Sequence, residues 1–130
     1  MANKVLANEW LEIAKHNLEA AILLFDANHY TDVVAAETEQ AVEKLLKAVL
    51  ALADKRIPKT HDLVELAGLL DDMPFAADEL ELLERATLYY REDRYPSHRY
   101  SLPPWKEVKE VLEFAKELHE RVTELVEESK

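Results

Sequence analysis

The chain has a single glycine, Gly68, among its 130 residues. Phosphate-binding loops of the Walker and dinucleotide types need several glycines in close succession, because only glycine lets the backbone approach a phosphate so closely. β-Sandwiches and propellers likewise use glycine in many of their turns. The scarcity of glycine therefore excludes glycine-rich phosphate loops and favours an all-α fold.

Apolar residues recur at spacings of three and four along five stretches of the chain, which is the period of amphipathic helices. The predicted helices span residues 9–28, about 31–55, about 62–71, 78–90 and about 104–127, with the second one central. We therefore expect a single domain, residues 1–130, folded as an all-α, five-helix antiparallel up-and-down bundle.

Local signals at the helix ends support this arrangement. Thr31 or Asp32 is predicted to cap the second helix. Asp62 is predicted to cap the third, with Glu65 three residues later completing a capping box. Residues 91–104 contain three prolines and are predicted to form a loop, because proline breaks helices.

The charge of the chain is strongly negative and unevenly distributed. The net charge of −11 repels nucleic acid and anionic membranes. Between Arg85 and Lys109, however, six basic residues stand against three acidic ones, so this segment carries +3 and the rest of the chain −14. A basic segment on an acidic body is the first indication of a functional site.

Composition also suggests a compartment. The chain has no cysteine, which excludes disulfides, thiolate metal sites and a cysteine nucleophile. Its first residues contain no signal-peptide core, and no apolar run approaches the ~20 residues of a membrane span. We expect a cytoplasmic protein that does not interact with membranes.

The densest group of chemically reactive side chains lies in the segment Tyr89–Tyr100, which contains three arginines, one histidine and four tyrosines. Arginine donates two parallel hydrogen bonds to phosphate, tyrosine can stack on bases, and histidine can transfer protons near neutral pH. The segment therefore predicts a site for a phosphate-bearing ligand. The alternative is a polar loop whose tyrosines pack on the bundle rim and whose arginines pair with surface acids.

Two histidines elsewhere have simple interpretations. His61 lies at the predicted start of the third helix, where it could bind an anion but more often forms part of a local cap. Glu12 and His16 have the i, i+4 spacing of a metal-binding pair, but no third ligand is evident. We interpret Glu12 and His16 as a solvated pair.

The second helix carries several acids, Glu37, Glu39 and Glu43 among them. Carboxylate di-metal bundles use Glu-x-x-His motifs, which this helix lacks. The acids are therefore predicted to form a solvated or partner-facing edge, with Lys44 and Lys47 facing solvent or pairing with them. We expect no metal site and no cofactor.

The run Glu39–Leu50, EQAVEKLLKAVL, strongly resembles the second-helix signature of the HEPN family (higher eukaryotes and prokaryotes nucleotide-binding). Residues 10–25 are similar to the first helix of that family. Pro58–Leu63 resembles the tHdL motif at the start of its third helix, and Tyr90–Pro96 resembles the RYP segment before its last helix. These matches follow in order across nearly the whole chain.

The resemblance implies an all-α bundle that forms a homodimer. Members are often encoded beside a minimal nucleotidyltransferase and form a toxin–antitoxin pair with it, so the implied partner is a nucleotidyltransferase antitoxin protein. Active members are metal-independent ribonucleases with an Arg-x4–6-His motif, and two such motifs meet across the dimer. The implied ligands are RNA or a nucleotide.

The resemblance also implies roles for residues of the 89–100 segment. Arg91 and His98, with six residues between them, fit the motif, whereas Arg94 is too close to His98. In that mechanism His98 is the general acid or base at the 2′-hydroxyl or the leaving oxygen, and Arg91 holds the scissile phosphate. From the residue types of the segment, and not from the resemblance, Arg94, Arg99 and Tyr95 are predicted to bind phosphate or nucleotide.

Tyr100 and the overall function retain alternatives. The run His98-Arg99-Tyr100 resembles a His-x-Tyr element whose tyrosine is adenylylated by the partner nucleotidyltransferase, and the alternative is an aromatic at the bundle rim. Arg94 can instead be structural, pairing with an acid of the first or second helix. Besides a ribonuclease toxin, the chain could be a non-catalytic accessory subunit that binds nucleotide or docks the nucleotidyltransferase, or a helical dimer without a ligand.

Overall fold

The computed structural model describes residues 3–92 and 102–129, and of Arg91 and Glu92 it describes the backbone alone. Within these ranges the chain forms five α-helices and no β-strand, which confirms the predicted all-α fold. The helices are α1 (Lys4–Asp26), α2 (Thr31–Leu52), α3 (Leu63–Gly68), α4 (Ala77–Glu92) and α5 (Trp105–Glu128). None of the helices in the described ranges is both long and apolar enough to cross a membrane.

Helix α2 is the central element, because it packs against all four other helices, and most extensively against α1. Its apolar residues occupy more than one face, and Leu45, Leu46 and Leu50 are completely shielded from solvent. Leu112 and Leu118 of α5 are equally buried on the other side of the core. Burial of each such leucine stabilises the fold by about 1.5–3 kcal/mol, so the core is organised around α2.

The start of α1 and the cap of α2 differ from the prediction. Helix α1 begins earlier than predicted, because the side-chain carbonyl of Asn3 accepts a hydrogen bond from the backbone N–H of Leu6 and caps the helix. Tyr30 precedes α2, and no capping hydrogen bond from its side chain occurs among the described residues. The prediction that Thr31 or Asp32 caps α2 is wrong, since both lie in its first turn, where the Asp32 carboxylate favours the positive end of the helix dipole.

The turns after α1 and α2 are made without glycine. Asn28 has a φ of 57° and Asp54 a φ of 56°, both in the left-handed region. Asparagine and aspartate tolerate this region better than other non-glycine residues. Gly68 ends α3 and does not adopt a positive φ, so the chain does not depend on its single glycine for a turn.

Helix α3 is capped by Asp62, as predicted. The Asp62 carboxylate accepts hydrogen bonds from the backbone N–H groups of Val64 and Glu65, at 3.1 and 3.2 Å. The Glu65 carboxylate does not complete a reciprocal capping box, because it accepts a hydrogen bond from the Thr60 hydroxyl at 2.9 Å. The helix ends at Gly68, earlier than predicted.

Helix α4 continues to Glu92, so Arg91 lies in its last turn and not in a loop as predicted. This end of the helix is attached to the start of α5. The Tyr89 hydroxyl donates a hydrogen bond to Glu107 of α5, which also pairs with Arg85 at 2.8 Å. Burial, together with the Glu107 carboxylate, raises the pKa of Tyr89, so the phenol keeps its proton and the link persists at neutral pH.

Candidate functional site

Three charged side chains of α2 lie at intervals of four residues and are buried. Their exposed fractions are 1% for Glu39, 4% for Glu43 and 8% for Lys47; we refer to these three residues as the α2 charge cluster. The predicted solvated or partner-facing edge is therefore wrong for Glu39 and Glu43. The prediction assumed one exposed polar face, but α2 packs against all four other helices.

Burying charged groups is costly unless each finds a partner, and Glu43 has partners on both oxygens. The Lys47 ammonium donates to Oε2 at 2.9 Å, and Nδ1 of His61 lies 2.8 Å from Oε1. Burial by itself raises the pKa of Glu43, but the hydrogen bonds with Lys47, His61 and Glu39 and the Lys47 charge outweigh it, so this pKa lies below its usual range. Glu43 is therefore ionised at neutral pH.

The ionised Glu43 carboxylate fixes the hydrogen-bonding roles of His61. Because a carboxylate only accepts hydrogen bonds, Nδ1 must carry a proton and donate it. The His61 ring also stacks on Tyr90 of α4, with ring centroids 3.8 Å apart and an angle of 18° between the planes. Its side chain is nevertheless 48% exposed. The imidazole is therefore fixed by a buried carboxylate and still accessible to solvent.

His61 lines a cleft of about 340 Å³ at the end of α4. The described residues that line it are Lys59, Thr60, His61, Asp62, Thr87 and Tyr90. The Thr87 hydroxyl accepts a hydrogen bond from the backbone N–H of Leu63 and donates one to the Leu83 carbonyl, which joins α3 to α4. The walls of the cleft are thus fixed by local hydrogen bonds.

Of the residues predicted to carry the chemistry, the structure describes only the backbone of Arg91. Arg91 directly follows Tyr90 in the last turn of α4, and its side chain is outside the described part of the structure. The other predicted site residues lie outside the described residues altogether, and their roles stay predictions: Arg94, Tyr95, His98, Arg99 and Tyr100.

Sequence reasoning missed the pairing of Glu43 with His61. His61 was expected to form part of a local cap or to bind an anion, but Asp62 is the cap and His61 binds the carboxylate of α2. The two residues are 18 positions apart, so no helical spacing relates them. The one available signal was the i, i+4 spacing of Glu43 and Lys47, and the sequence analysis left open whether Lys47 faces solvent or pairs with an acid.

Two other expectations can be compared with the structure. Glu12 and His16 form an exposed pair at 3.3 Å, with about two-thirds of each side chain accessible, as predicted. Lys44 is partly buried and makes no ion pair with a described acid; its ammonium donates to the Asn17 side-chain carbonyl at 2.7 Å. Across residues 3–92 and 102–129, no three potential metal ligands cluster together.

Comparisons with known proteins give a consistent result. The family model of the HEPN domain matches residues 7–127. The chain is similar in structure to TT1696 from Thermus thermophilus, with a TM-score of 0.76 and 28% identity over 91% of this chain and 96% of the other. It also shares its fold with ST0689, an archaeal HEPN homologue, with a TM-score of 0.71 and 22% identity over 92% and 97% of the two chains. No curated protein sequence matches the chain.

Proposed function

The chain belongs to the HEPN domain family, and from this premise we propose that it is the toxin-like partner of a minimal nucleotidyltransferase and cleaves RNA without a metal ion. The observation that carries the proposal is the position of Arg91. It lies in the last turn of α4, next to a cleft whose wall contains an imidazole held by a buried carboxylate. Arginine and oriented imidazole are the groups that phosphodiester cleavage requires.

The proposed chemistry is an internal transesterification. A base removes the proton of the 2′-hydroxyl, the 2′-oxygen attacks the phosphorus, and an acid protonates the leaving 5′-oxygen. His98 supplies acid–base catalysis, and Arg91 binds the phosphate and stabilises the charge that develops on it. Arg94, Tyr95 and Arg99 hold the neighbouring phosphate or nucleotide.

The charge distribution supports a protein partner. The −14 charge outside the segment Arg85–Lys109 disfavours broad RNA binding but suits docking of a basic protein surface. We propose that this partner is the nucleotidyltransferase and that it silences the toxin by adenylylating Tyr100. We also propose that the chain is a homodimer in which two Arg91–His98 motifs meet, and light scattering should then report twice the mass of one chain.

A second candidate function is a non-catalytic accessory subunit that binds nucleotide or docks the nucleotidyltransferase. The observation that favours it is Glu92, which directly follows Arg91. A carboxylate close to a phosphate site opposes anion binding. The accessory function keeps the partner and the fold but removes the cleavage step.

RNA cleavage by the purified protein in EDTA separates the two functions. We expect cleavage by the wild type and its loss in Arg91→Ala and in His98→Ala. Arg56→Ala and His16→Ala are matched controls, because both replace exposed residues of the same types that do not line the cleft. A folded wild-type dimer that leaves RNA intact would exclude the ribonuclease and favour the accessory subunit.

A further inference from the structure

The imidazole ring of His61 is held in one orientation by two contacts, a hydrogen bond and a stacked ring. Nδ1 donates to Glu43 at 2.8 Å, and one face of the ring is covered by Tyr90. Among the described residues, no hydrogen bond is made to Nε2. With Nδ1 as the donor, Nε2 of the neutral ring is an acceptor, and the side chain is about half exposed at the wall of the cleft.

The charges around His61 support a functional orientation. Lys47 pairs with Glu43 at 2.9 Å, so the charge of the carboxylate behind the ring is offset by an ammonium. Asp62 is the one acid among the described residues that line the cleft, and its Oδ1 accepts hydrogen bonds from two backbone N–H groups. Lys59 lines the same cleft and makes no ion pair with any described residue, so it can attract a phosphate.

The energetic cost of the buried charges also has to be explained. Replacing a buried ion pair by apolar side chains of similar volume is often neutral or stabilising. The Glu43–Lys47 pair therefore adds little to stability that leucine or methionine would not supply. A carboxylate held ionised within the bundle does have one specific effect, which is to set the tautomer and the direction of His61.

We propose that His61 is the general base of the RNA-cleaving site, with Glu43 as its positioning residue. The proposal rests on the proposed function, because it adds a residue to the same site. Nε2 of His61 accepts the 2′-hydroxyl proton as the 2′-oxygen bonds to phosphorus. The bond from phosphorus to the 5′-oxygen breaks, and that oxygen takes a proton from the general acid of the proposed function. The products are a 2′,3′-cyclic phosphate and a 5′-hydroxyl end.

Binding of two non-cleavable nucleotides tests the contact without relying on activity. Adenosine 3′-monophosphate contains the 2′-hydroxyl, and 2′-deoxyadenosine 3′-monophosphate lacks it. We expect the wild type to prefer the ribonucleotide by about fivefold to tenfold, the effect of one hydrogen bond. The preference should vanish in His61→Ala, fall in the isosteric Glu43→Gln and persist in His16→Ala, a histidine that also pairs with a glutamate but on the exposed surface of α1. Circular dichroism confirms that each variant is folded.

Cleavage kinetics test the catalytic role. His61→Gly should lower kcat by about 10²–10⁴-fold with little change in KM, and added imidazole should restore part of the rate, which a merely structural role would not allow. If His61→Ala cleaves RNA at the wild-type rate while Arg91→Ala does not cleave it, the inference about His61 is overturned. The proposed ribonuclease function would still stand in that case.

The two assays also separate failure of the inference from failure of the proposed function. If the wild type does not cleave RNA but prefers the ribonucleotide, and this preference depends on His61, the 2′-hydroxyl contact is supported. Only the ribonuclease activity is then overturned. A wild type without that preference, or a His61→Ala variant that keeps it, would overturn the inference.

Discussion

Glu43 connects the interior of the bundle to the candidate site. One carboxylate oxygen binds Lys47, which is itself buried in α2, and the other binds His61 at the wall of the cleft. The stability of this arrangement depends on the lysine having its partner, because an unpaired buried ammonium is strongly unfavourable. The same residue therefore affects both the folding free energy and the geometry of the site.

Glu43→Ala should lower the free energy of unfolding by about 3–5 kcal/mol, because it leaves the Lys47 ammonium buried without a carboxylate. Urea denaturation at neutral pH measures this loss. Glu12→Ala is the matched control: it breaks the exposed pair with His16 and should cost less than about 1 kcal/mol. Equal, small losses in the two variants would show that Lys47 is hydrated in solution.

At the residue scale, the sequence indicated which side chains can form ion pairs, but it did not predict which of them are buried. For Lys47 the sequence left two alternatives, exposure to solvent or a pair with an acid, and the structure shows the pair with Glu43. Burial of the pair was not predictable from α2 alone, because it depends on the elements that cover this face. The contact between Glu43 and His61 is a tertiary one across 18 positions, and no local pattern encodes it.

At the scale of helices and turns, the backbone conformations show which residues the turns require. Asp54 occupies the left-handed region after α2, whereas Gly68 ends α3 without a positive φ. A Cβ built at Gly68 would meet no atom within 4 Å beyond its near neighbours in the chain. The single glycine, Gly68, therefore lies where the backbone does not require glycine. Asp54, in contrast, lies at a positive φ, where glycine is the favoured residue.

Gly68→Ala should raise the free energy of unfolding by about 0.4–1 kcal/mol, because alanine restricts the unfolded chain and creates no clash. Asp54→Ala should lower it by about 1–2 kcal/mol, since alanine is disfavoured at positive φ. Thermal and urea denaturation of both variants measure the two changes. Changes of the same sign would contradict the backbone conformations at one of these two positions.

Helix boundaries were predicted where side chains signal them and missed where they do not. Asp62 was recognisable as a cap because of the residues that follow it. The Asn3 cap was not, because it precedes the apolar pattern from which α1 was predicted. The extension of α4 beyond Tyr90 was missed because the prolines that follow suggested an earlier end, and it places the backbone of Arg91 in the last turn of the helix.

At the scale of the whole molecule, the order and class of the helices follow from the periodicity of apolar residues, since each helix needs one buried stripe. The links between α4 and α5 do not follow from it. Arg121 of α5 pairs with Glu79 of α4, and Arg85 pairs with Glu107 at the other end of the two helices. Glu79 and Arg85 also line a groove of about 720 Å³ between the helices, so each ion pair has one member on the wall of this groove.

Such contacts make the stability of the bundle depend on pH. The hydrogen bond from Arg121 lowers the pKa of Glu79, outweighing the effect of its burial, and the pKa of Glu43 is also lowered despite burial. In the unfolded chain both carboxyls take up protons at a higher pH than in the folded one. Their stabilising contribution is therefore complete at neutral pH and is lost as the pH falls through the ordinary glutamate range towards the lower folded values.

Acid denaturation should therefore respond to single isosteric replacements. Between about pH 5 and pH 3 the wild type should lose stability more steeply than Glu79→Gln, because glutamine keeps a hydrogen-bond acceptor for Arg121 but binds no proton. The measurement is the free energy of unfolding in urea at each pH, with Glu12→Gln on the exposed face of α1 as the control. Parallel pH curves for Glu79→Gln and the wild type would mean that the Arg121 pair does not stabilise the folded state. A shallower curve for Glu79→Gln alone would show that the ion pair between α4 and α5 contributes to the acid sensitivity of the whole bundle.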